Sequence, residues 1–457
     1  MRLSEAAAIL NSSIGSSDTK FSGVSTDSRS LMRGELFVAL SGERFDGHAF
    51  LNSATEAGAA GALVGASYDG HTGLPVIRVM DTRKALGELA RVWRSRRSLA
   101  VIAVAGSNGK TTTKEMIASV LRLHAGEHDV LATEGNLNND IGVPLTLLKI
   151  RRSHRFAVVE VGMNHSGEIS RLAGCVQPTV AVVTNAQREH LEFMGSAEDA
   201  ARENAQIYRA LPADGVAIIN VDDPNREIFK DAATGRKTIS FGLDVEADVT
   251  ARFEQRFLSS LMELHLPSGV VRATLNIPGS HSVRNALAAA AAAHAVGIPD
   301  KAIGEGLEAF RPYSGRLQLG RAESGATLID DSYNANPDSV RAAIDVLASA
   351  VGPKILILGD MGEVGELGPS LHSEIGAYAR QRGIDELLGL GEATLRTVQA
   401  FGKNAQHFND LESIARRACE RATADATLLV KGSRFMRMER VVRALQGRAS
   451  RPGSGVG

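Results

Sequence analysis

A glycine-rich segment in the first third of the chain carries residue types that bind phosphate groups. It follows the apolar run LAVIAVA, precedes the helical pattern TKEMIASVLRL and consists of Gly106, Ser107, Asn108, Gly109, Lys110, Thr111 and Thr112. Glycines let backbone N–H groups approach phosphate oxygens, and the start of a helix adds positive potential. This order of strand, loop and helix therefore predicts a nucleotide-phosphate site, with Lys110 at the outer phosphates and Thr111 on Mg²⁺.

The match to the general phosphate-loop pattern is incomplete. Val104 occupies the position of the first glycine in G-x-x-x-x-G-K-[ST], although G-x-x-G-K-T-T is intact. A glycine turn that joins a strand to a helix by chance is the alternative interpretation. Because strand, loop and helix occur in the required order, phosphate binding is favoured.

Two side chains beyond the loop are candidate metal ligands. Glu160 ends the apolar run FAVVE, and the carboxyl edge of a parallel sheet is where α/β sites form. Mg²⁺ prefers oxygen ligands and often uses one or two carboxylates. His190 lies in the loop after the run VAVVT. Taken alone, a strand-end carboxylate in a salt bridge and an exposed loop histidine remain alternatives.

Short apolar runs alternate with helical patterns along the chain, which predicts α/β architecture with parallel sheets. We expect three domains: residues 1–98 as a small mixed α/β domain, residues 99–313 around the phosphate loop, and residues 314–447 as a second parallel-sheet unit. The Gly/Ser/Pro-rich tail 448–457 is expected to be disordered. Asp360–Glu363 and Lys431–Arg434 each follow an apolar run of the third domain, so both loops are expected to face one cleft.

Composition excludes several classes of protein. With 51 Lys+Arg against 52 Asp+Glu, the chain lacks the basic excess of a general nucleic-acid binder. Its two cysteines, Cys175 and Cys419, are too far apart for a zinc motif and too few for a disulfide scaffold. No apolar run approaches the roughly 20 residues of a membrane span, and the N-terminus lacks a signal-peptide pattern. We therefore expect a cytoplasmic protein without a nucleic-acid partner.

Several longer motifs resemble those of the Mur ligases, the ATP-dependent amide-forming enzymes of peptidoglycan synthesis. The loop GSNGKTT is similar to their GTNGKTT loop. Further matching segments, in chain order, are STDSR, EGNLNNDIGVPLTLL, VVEVGMNHSGEI, TNAQREHLEFMGS, DDSYNANPDSV, LGDMGEVGELG and VKGSRFMRME. The resemblance implies an N-terminal domain for a uridine nucleotide, a central P-loop ATPase-type domain and a C-terminal Rossmann-like domain.

Within this family, DDSYNANP, DMGEVG and VKGSRFMRME resemble the member that joins D-Ala-D-Ala to UDP-MurNAc-tripeptide. The resemblance implies an acyl phosphate intermediate, ATP and Mg²⁺ as cofactors, the UDP-MurNAc-pentapeptide as product, and a monomer. Another Mur-type or folylpolyglutamate-synthetase-like ligase is one alternative. A nucleotide-binding regulator without catalysis is the alternative from a different class.

The resemblance also implies roles for individual residues. The expected catalytic residues are Lys110, Asn138 and His190, and the expected metal ligands are Thr111, Glu160 and His190. ATP is expected to contact Gly106, Ser107, Asn108, Gly109, Lys110, Thr111, Thr112, Asn285, Arg316 and Asp331. The two substrates are expected to contact Ser25, Asp27, Ser28, Arg29, Asp46, His48, Asn136, Asn334 and Asn336.

Two positions depart from the family pattern. Ser282 replaces the usual asparagine of an HNxxNA segment. Asn204 stands where many Mur ligases carry a lysine whose carbamate helps to hold a second Mg²⁺. An amide cannot form a carbamate, but its carbonyl can accept Mg²⁺ or a bound water. We therefore expect activity that does not depend on bicarbonate, with the Asn204 carbonyl near the metal.

Overall fold

The computed structural model describes residues 1–14, 18–42, 45–189 and 191–448; residues 449–457 of the predicted tail lie outside the described residues. The N-terminal region contains α1 (Leu3–Ile9), β1 (Val24–Ser25), β2 (Leu36–Val38), β3 (Ser41–Gly42), β4 (Phe45–Asp46), α2 (Leu51–Glu56), β5 (Gly61–Gly65), β6 (Val76–Val79) and α3 (Thr82–Ser95). Strands β1, β2, β5 and β6 form a parallel sheet in that order.

The central region is built on a six-stranded parallel sheet and a small antiparallel sheet. Its elements are β7 (Ala100–Ala105), α4 (Lys110–Ala125), β8 (Val130–Ala132), α5 (Gly142–Leu148), β9 (Phe156–Glu160), α6 (Glu168–Val176), β10 (Val180–Val183), α7 (Leu191–Met194), α8 (Ala197–Asn204), α9 (Gln206–Arg209), β11 (Val216–Asn220), α10 (Arg226–Ala232), β12 (Lys237–Phe241), β13 (Thr250–Gln255), β14 (Ser260–Leu266), β15 (Gly269–Leu275), α11 (Ser280–Ala295) and α12 (Asp300–Ala309). The parallel sheet has the order β12-β11-β10-β7-β9-β8.

Strand β7 is apolar throughout because both of its faces are covered. Ile102 and Val104 pack into the core with α4 and α11, whereas Val101 and Ala103 pack into the core on the opposite face. All four side chains are fully buried. Alternation of side chains across a sheet with helices on both faces explains the continuous apolar run.

The C-terminal region forms a second six-stranded sheet. Its elements are β16 (Gln318–Arg321), β17 (Thr327–Asp331), α13 (Pro337–Ala348), β18 (Lys354–Gly359), α14 (Gly368–Gln381), β19 (Glu386–Leu390), α15 (Thr394–Phe401), β20 (Ala405–Phe408), α16 (Leu411–Arg421), β21 (Thr427–Lys431) and α17 (Glu439–Leu445). The order is β16-β17-β21-β18-β19-β20, in which only the edge strand β16 is antiparallel to its neighbour. The predicted α/β fold with parallel sheets is confirmed.

Two local features complete the fold. Helix α11 begins after Gly279 without a side-chain cap, and the Ser282 hydroxyl donates to the carbonyl of Pro278. The antiparallel sheet β13-β14-β15 was not predicted, although the burial of β14 alternates along SLMELHL, which is the pattern of a half-buried strand. Within the described part of the chain, no helix is long and apolar enough to cross a membrane.

Candidate active site

A large cleft lies where the carboxyl ends of the central strands face the C-terminal sheet. Its volume is about 1340 Å³. It brings together most of the residues selected from the sequence: Ser107, Asn108, Gly109, Lys110, Thr111, Thr112, Asn136, Asn138, Glu160, Asn285, Arg316, Asp331, Asn334 and Asn336. Lining residues from the predicted C-terminal loops are Gly362, Glu363, Lys431, Ser433 and Arg434. The two C-terminal loops face one cleft, as expected from the sequence, and the structure adds that the phosphate loop lines the same cleft.

The phosphate loop requires glycine at both ends. Gly106 has φ +127°, and a Cβ there would lie 2.1 Å from the Thr184 hydroxyl. Gly109 has φ +83°, and a Cβ there would lie 2.3 Å from Oδ1 of Asn285. Residues with a Cβ rarely adopt either of these backbone conformations. The loop therefore turns tightly against the segment after β10 and against α11, leaving its amides at the start of α4.

The Lys110 ammonium is held at the loop itself. Its Nζ donates to the carbonyls of Gly106 at 2.6 Å and Ser107 at 2.9 Å, and lies 3.2 Å from a carboxylate oxygen of Glu189. These three partners keep the positive charge of Lys110 beside the phosphate loop. An incoming phosphate would compete with the carboxylate of Glu189 for this ammonium.

Asn204 supports the phosphate loop from behind, through two hydrogen bonds of its side-chain amide. Its Oδ1 accepts from the Gly106 amide at 2.9 Å, and its Nδ2 donates to the Ala200 carbonyl at 2.9 Å. The side chain is 1% exposed and is absent from the described lining of the cleft. Its neighbour Glu203 accepts from the Ile169 amide at the start of α6. Both side chains therefore hold backbone amides in place.

We expect the substitution Asn204→Ala to lower turnover about tenfold or more, because the buried Gly106 amide would lose its acceptor at a cost of roughly 1–3 kcal/mol. Steady-state kinetics should show a higher KM for ATP together with the lower kcat. The activity of the unmodified protein should be equal with and without bicarbonate, since the Asn204 amide cannot form a carbamate.

The matched control is Gln206→Ala, which removes an amide that donates only to the Arg202 carbonyl on the helix surface. Unchanged ATP kinetics in Asn204→Ala would contradict the supporting role. Activity that requires bicarbonate would show that a lysine elsewhere takes up CO₂.

Glu160 and Thr111 have the free oxygens that a divalent cation needs. The parallel register sets Glu160 opposite Val104, next to the phosphate loop. Its Oε1 accepts from Nδ2 of Asn138 at 2.8 Å, whereas its Oε2 is buried without a hydrogen-bond partner among the described residues. The Thr111 hydroxyl is likewise buried without a partner there. Two orphaned oxygens in the lining of one cleft fit the oxygen preference of Mg²⁺.

The predicted third ligand cannot be placed, since His190 lies outside the described residues. Among the described residues, no group of three or more His, Cys, Asp or Glu side chains is arranged to hold a metal. Two protein oxygens are a usual share of a Mg²⁺ shell, because substrate phosphates and waters often supply the remaining ligands.

The C-terminal wall of the cleft is also charged. Nζ of Lys431, which is 3% exposed, lies 2.5 Å from Oδ2 of Asp331 and 2.9 Å from the Asn334 carbonyl. The Arg316 guanidinium stacks 4.3 Å from the centre of the Tyr333 ring. Since β17 and β21 are neighbours with Asp331 opposite Lys431, the register of the sheet creates this pair.

Direct contacts join the phosphate loop to the C-terminal domain, and sequence reasoning missed them. Asn108 and Asn336 exchange amide hydrogen bonds of 2.8 and 3.3 Å, and Asn336 also caps α13. Nε and Nη2 of Arg188 donate to Asp338, and Nη1 and Nη2 donate to Glu374. Hydrogen bonds from these carboxylates, first Asp338, raise the pKa of Arg188. The only sequence signal was the presence of Arg188 in the segment TNAQREHLEF.

Near the start of α11, the cleft is lined by a half-buried imidazole. Burial lowers the pKa of His281 to about 4, so the ring is neutral near pH 7. Asn285, one turn further along the helix, is 8% exposed and faces Gly109. Arg284 pairs with Asp222 at 3.0 Å. This end of the cleft therefore offers neutral polar groups beside an ion pair whose opposite charges cancel.

The predicted uridine-nucleotide residues lie away from this cleft. Of the described residues before residue 99, only Arg83 contributes to its lining. Ser25, Asp27, Ser28, Arg29, Asp46 and His48 do not, and neither does Gly106. Asp27 and Arg29 form an exposed pair at 2.8 Å. His48 is fixed in one tautomer, because its Nε2 accepts from the Gly65 amide while its Nδ1 contacts Asp46 at 2.6 Å, a hydrogen bond that lowers the pKa of Asp46 to about 2.

Comparison with known proteins gives one family for the whole chain. Family models match residues 20–94 (Mur ligase family, catalytic domain), 104–293 (Mur ligase middle domain) and 315–434 (Mur ligase, glutamate ligase domain). The UDP-N-acetylmuramoyl-tripeptide–D-alanyl-D-alanine ligase of Escherichia coli (strain K12) is 40% identical over 97% of this chain and 98% of the relative.

Solved structures agree with this similarity. A crystal structure of MurF from Acinetobacter baumannii matches with a TM-score of 0.90 and 34% identity, covering 97% of this chain and 98% of that chain. The MurF ligase from Thermotoga maritima in complex with ADP matches with a TM-score of 0.82 and 26% identity, covering 93% and 97%. With family models over all three regions and relatives matched along nearly their full length, the chain belongs to the Mur ligase family and is a ligase.

Proposed function

We propose that this protein joins D-Ala-D-Ala to UDP-MurNAc-tripeptide with conversion of ATP to ADP and phosphate. The observation that carries the proposal is the single cleft in which the phosphate loop, Glu160 and the end of β21 meet. The name of the Escherichia coli relative, at 40% identity, states the same substrates. The bound ADP of the Thermotoga maritima structure supports ATP as the phosphate donor.

The reaction proceeds in two displacements. A carboxylate oxygen of the tripeptide attacks the γ-phosphorus of ATP, the bond to ADP breaks, and an acyl phosphate forms. The amine of D-Ala-D-Ala then attacks the acyl carbon, phosphate leaves, and the nitrogen loses a proton as the amide forms. Both steps need compensation of phosphate charge and alignment of acid with amine.

The chain's own residues supply this compensation. The amides at the start of α4 bind phosphate oxygens, and Lys110 moves from Glu189 to the outer phosphate. Asn138 holds the carboxylate of Glu160 in one orientation. Asn285, Arg316 and Asp331 contact the nucleoside and its phosphates.

Mg²⁺ fits the two orphaned oxygens described above. Thr111 and Glu160 would hold it, with His190 as the proposed further ligand. The ion would supply positive charge that neutralises the phosphates during transfer.

The remaining assignments are proposals of the same kind. Ser25, Asp27, Ser28, Arg29, Asp46 and His48 bind the uridine nucleotide, and Asn136, Asn334 and Asn336 bind the tripeptide end and the dipeptide. The domain limits are 1–98, 99–313 and 314–447, since each sheet lies within one of these ranges. The soluble small-molecule substrates support a cytoplasmic location, and the monomer is proposed from the family resemblance alone.

Phosphate release with different amine substrates tests the function. With UDP-MurNAc-tripeptide as acid, D-Ala-D-Ala should support release about 100-fold faster than lysine or diaminopimelate, because a site shaped for a dipeptide leaves buried polar groups unpaired with a single amino acid. The mass of the product should equal that of the pentapeptide.

Two results would overturn the assignment. Preference for one diamino acid with UDP-MurNAc-dipeptide as the acid would identify a different Mur-type ligase. ATP binding without phosphate release from any pair of substrates would favour the non-catalytic regulator.

A further inference from the structure

A second, much smaller cavity lies at the opposite edge of the central sheet. Its volume is about 170 Å³, and it is lined by Arg96, Arg97, Ser98, Leu99, Arg151, Arg152 and His154. Arg97 and Leu99 immediately precede β7, and His154 precedes β9, so the cavity lies at the amino ends of these strands. The phosphate loop and Glu160 lie at their carboxyl ends. The cavity is therefore separate from the proposed active site.

Positive charge in this cavity is largely uncompensated. Arg96 pairs with Glu5. No carboxylate of the described chain forms an ion pair with Arg97, Arg151 or Arg152. Burial, followed by the repulsion of neighbouring guanidiniums, lowers the pKa of Arg97. The N-terminal ammonium is close enough to feel this positive charge. Its pKa is lowered mainly by burial and further by the charges of Lys20, Arg97 and Arg151, whereas the charge of Glu5 raises it.

The arginines are held by backbone rather than by acids. Nη1 of Arg151 donates to the carbonyl of Leu148 at 2.8 Å, and its amide donates to Nδ1 of His154 at 3.0 Å. The Arg97 guanidinium lies 3.9 Å from the centre of the Trp93 ring, and its Nε is buried without a hydrogen-bond partner among the described residues. Trp93 is itself fixed by a 3.0 Å bond from its indole to the Ile150 carbonyl.

We propose that this arginine cavity binds a phosphate group. Guanidinium groups offer forked donors that match phosphate oxygens, and one such anion would relieve the repulsion among the four arginines that line the cavity. The small volume limits the ligand to one or two phosphate groups. The same chemistry is presented by soluble phosphate or pyrophosphate and by the headgroup of an anionic phospholipid.

The single tryptophan of the chain is a built-in reporter for this site. Trp93 is the only tryptophan, so tryptophan fluorescence responds to changes around this ring and the Arg97 guanidinium that stacks on it. Phosphate and pyrophosphate should each produce a saturable change in fluorescence at constant ionic strength, where chloride does not. Titration calorimetry in Lys110→Ala, whose active-site phosphate affinity is expected to be weakened, should show a binding event with the same midpoint.

Arg152→Glu is the most direct variant, because Arg152 is exposed and makes none of the backbone contacts that hold the loop. It should weaken binding at least tenfold while ligase turnover stays within about twofold of wild type. The matched control is Arg209→Glu, an exposed arginine of α9 that does not line the cavity. It should bind as the unmodified protein does.

Vesicle sedimentation distinguishes the two sources of phosphate. Binding to phosphatidylglycerol vesicles but not phosphatidylcholine vesicles, lost in Arg152→Glu, would identify a lipid headgroup. A response to soluble phosphate alone would identify a free anion. The absence of both fluorescence and calorimetric signals together with no vesicle binding, or equal binding by Arg152→Glu and the unmodified protein, overturns the proposal.

Discussion

Replacement of Lys110 by alanine is expected to lower ligase turnover by about two orders of magnitude or more, as the loss of one electrostatic contact does in comparable sites. The ammonium lies at the phosphate loop, within 3.4 Å of both carboxylate oxygens of Glu189. Without it, the charge that develops on the transferred phosphoryl group loses a compensating cation, while Glu189 remains close and repels it. Single-turnover measurement of ADP formation reads this step directly.

The fold should tolerate this change, since among the described residues the Lys110 ammonium hydrogen-bonds only to loop carbonyls and Glu189. Lys149→Ala, which removes an exposed partner of Glu134, is the matched control and should keep full turnover. Equal urea midpoints would separate the catalytic loss from unfolding. Turnover near that of the unmodified protein would remove Lys110 from the mechanism.

Glu160→Gln is expected to reduce turnover by about 100-fold or more and to raise the Mg²⁺ concentration needed for half-maximal rate. Glutamine keeps the shape of the side chain and the acceptor for Asn138, whose bond to Oε1 is 2.8 Å long. It removes the negative charge, and its –NH₂ donor replaces one oxygen that could bind the cation. Rates measured over a range of Mg²⁺ concentrations give both quantities.

The control for this variant is Glu134→Gln, an exposed carboxylate in the loop before Asn136 that pairs with Lys149. It should leave the Mg²⁺ requirement unchanged. Glu160 is 1% exposed, so its charge is costly to bury and a neutral amide at the same position should not destabilise the protein. The thermal unfolding temperature of the variant should therefore not fall. An unaltered Mg²⁺ requirement in Glu160→Gln would place the metal elsewhere.

The chain's local patterns were sufficient to predict its α/β elements and its phosphate loop. Continuous apolar runs predicted β7, β9 and β18 to within about a residue, because a parallel strand covered on both faces must be apolar at every position. Gly106 and Gly109 were identified from the loop motif, and the structure gives the reason for glycine there: both have positive φ and lie close to Thr184 and Asn285. The sheet β13-β14-β15 was missed, since its exposed outer face dilutes the apolar signal.

The partners of the polar side chains were decided only by the tertiary structure. Asn204 was noted from the sequence as a departure from the family pattern, but its hydrogen bonds depend on the packing of α8 behind the phosphate loop, which places its carbonyl on the Gly106 amide. The ion pairs of Arg188 with Asp338 and Glu374 join residues more than 140 positions apart. A sequence determines which groups are polar and which strands are buried. Which donor meets which acceptor depends on sheet register and domain docking, and local sequence patterns do not specify either of these.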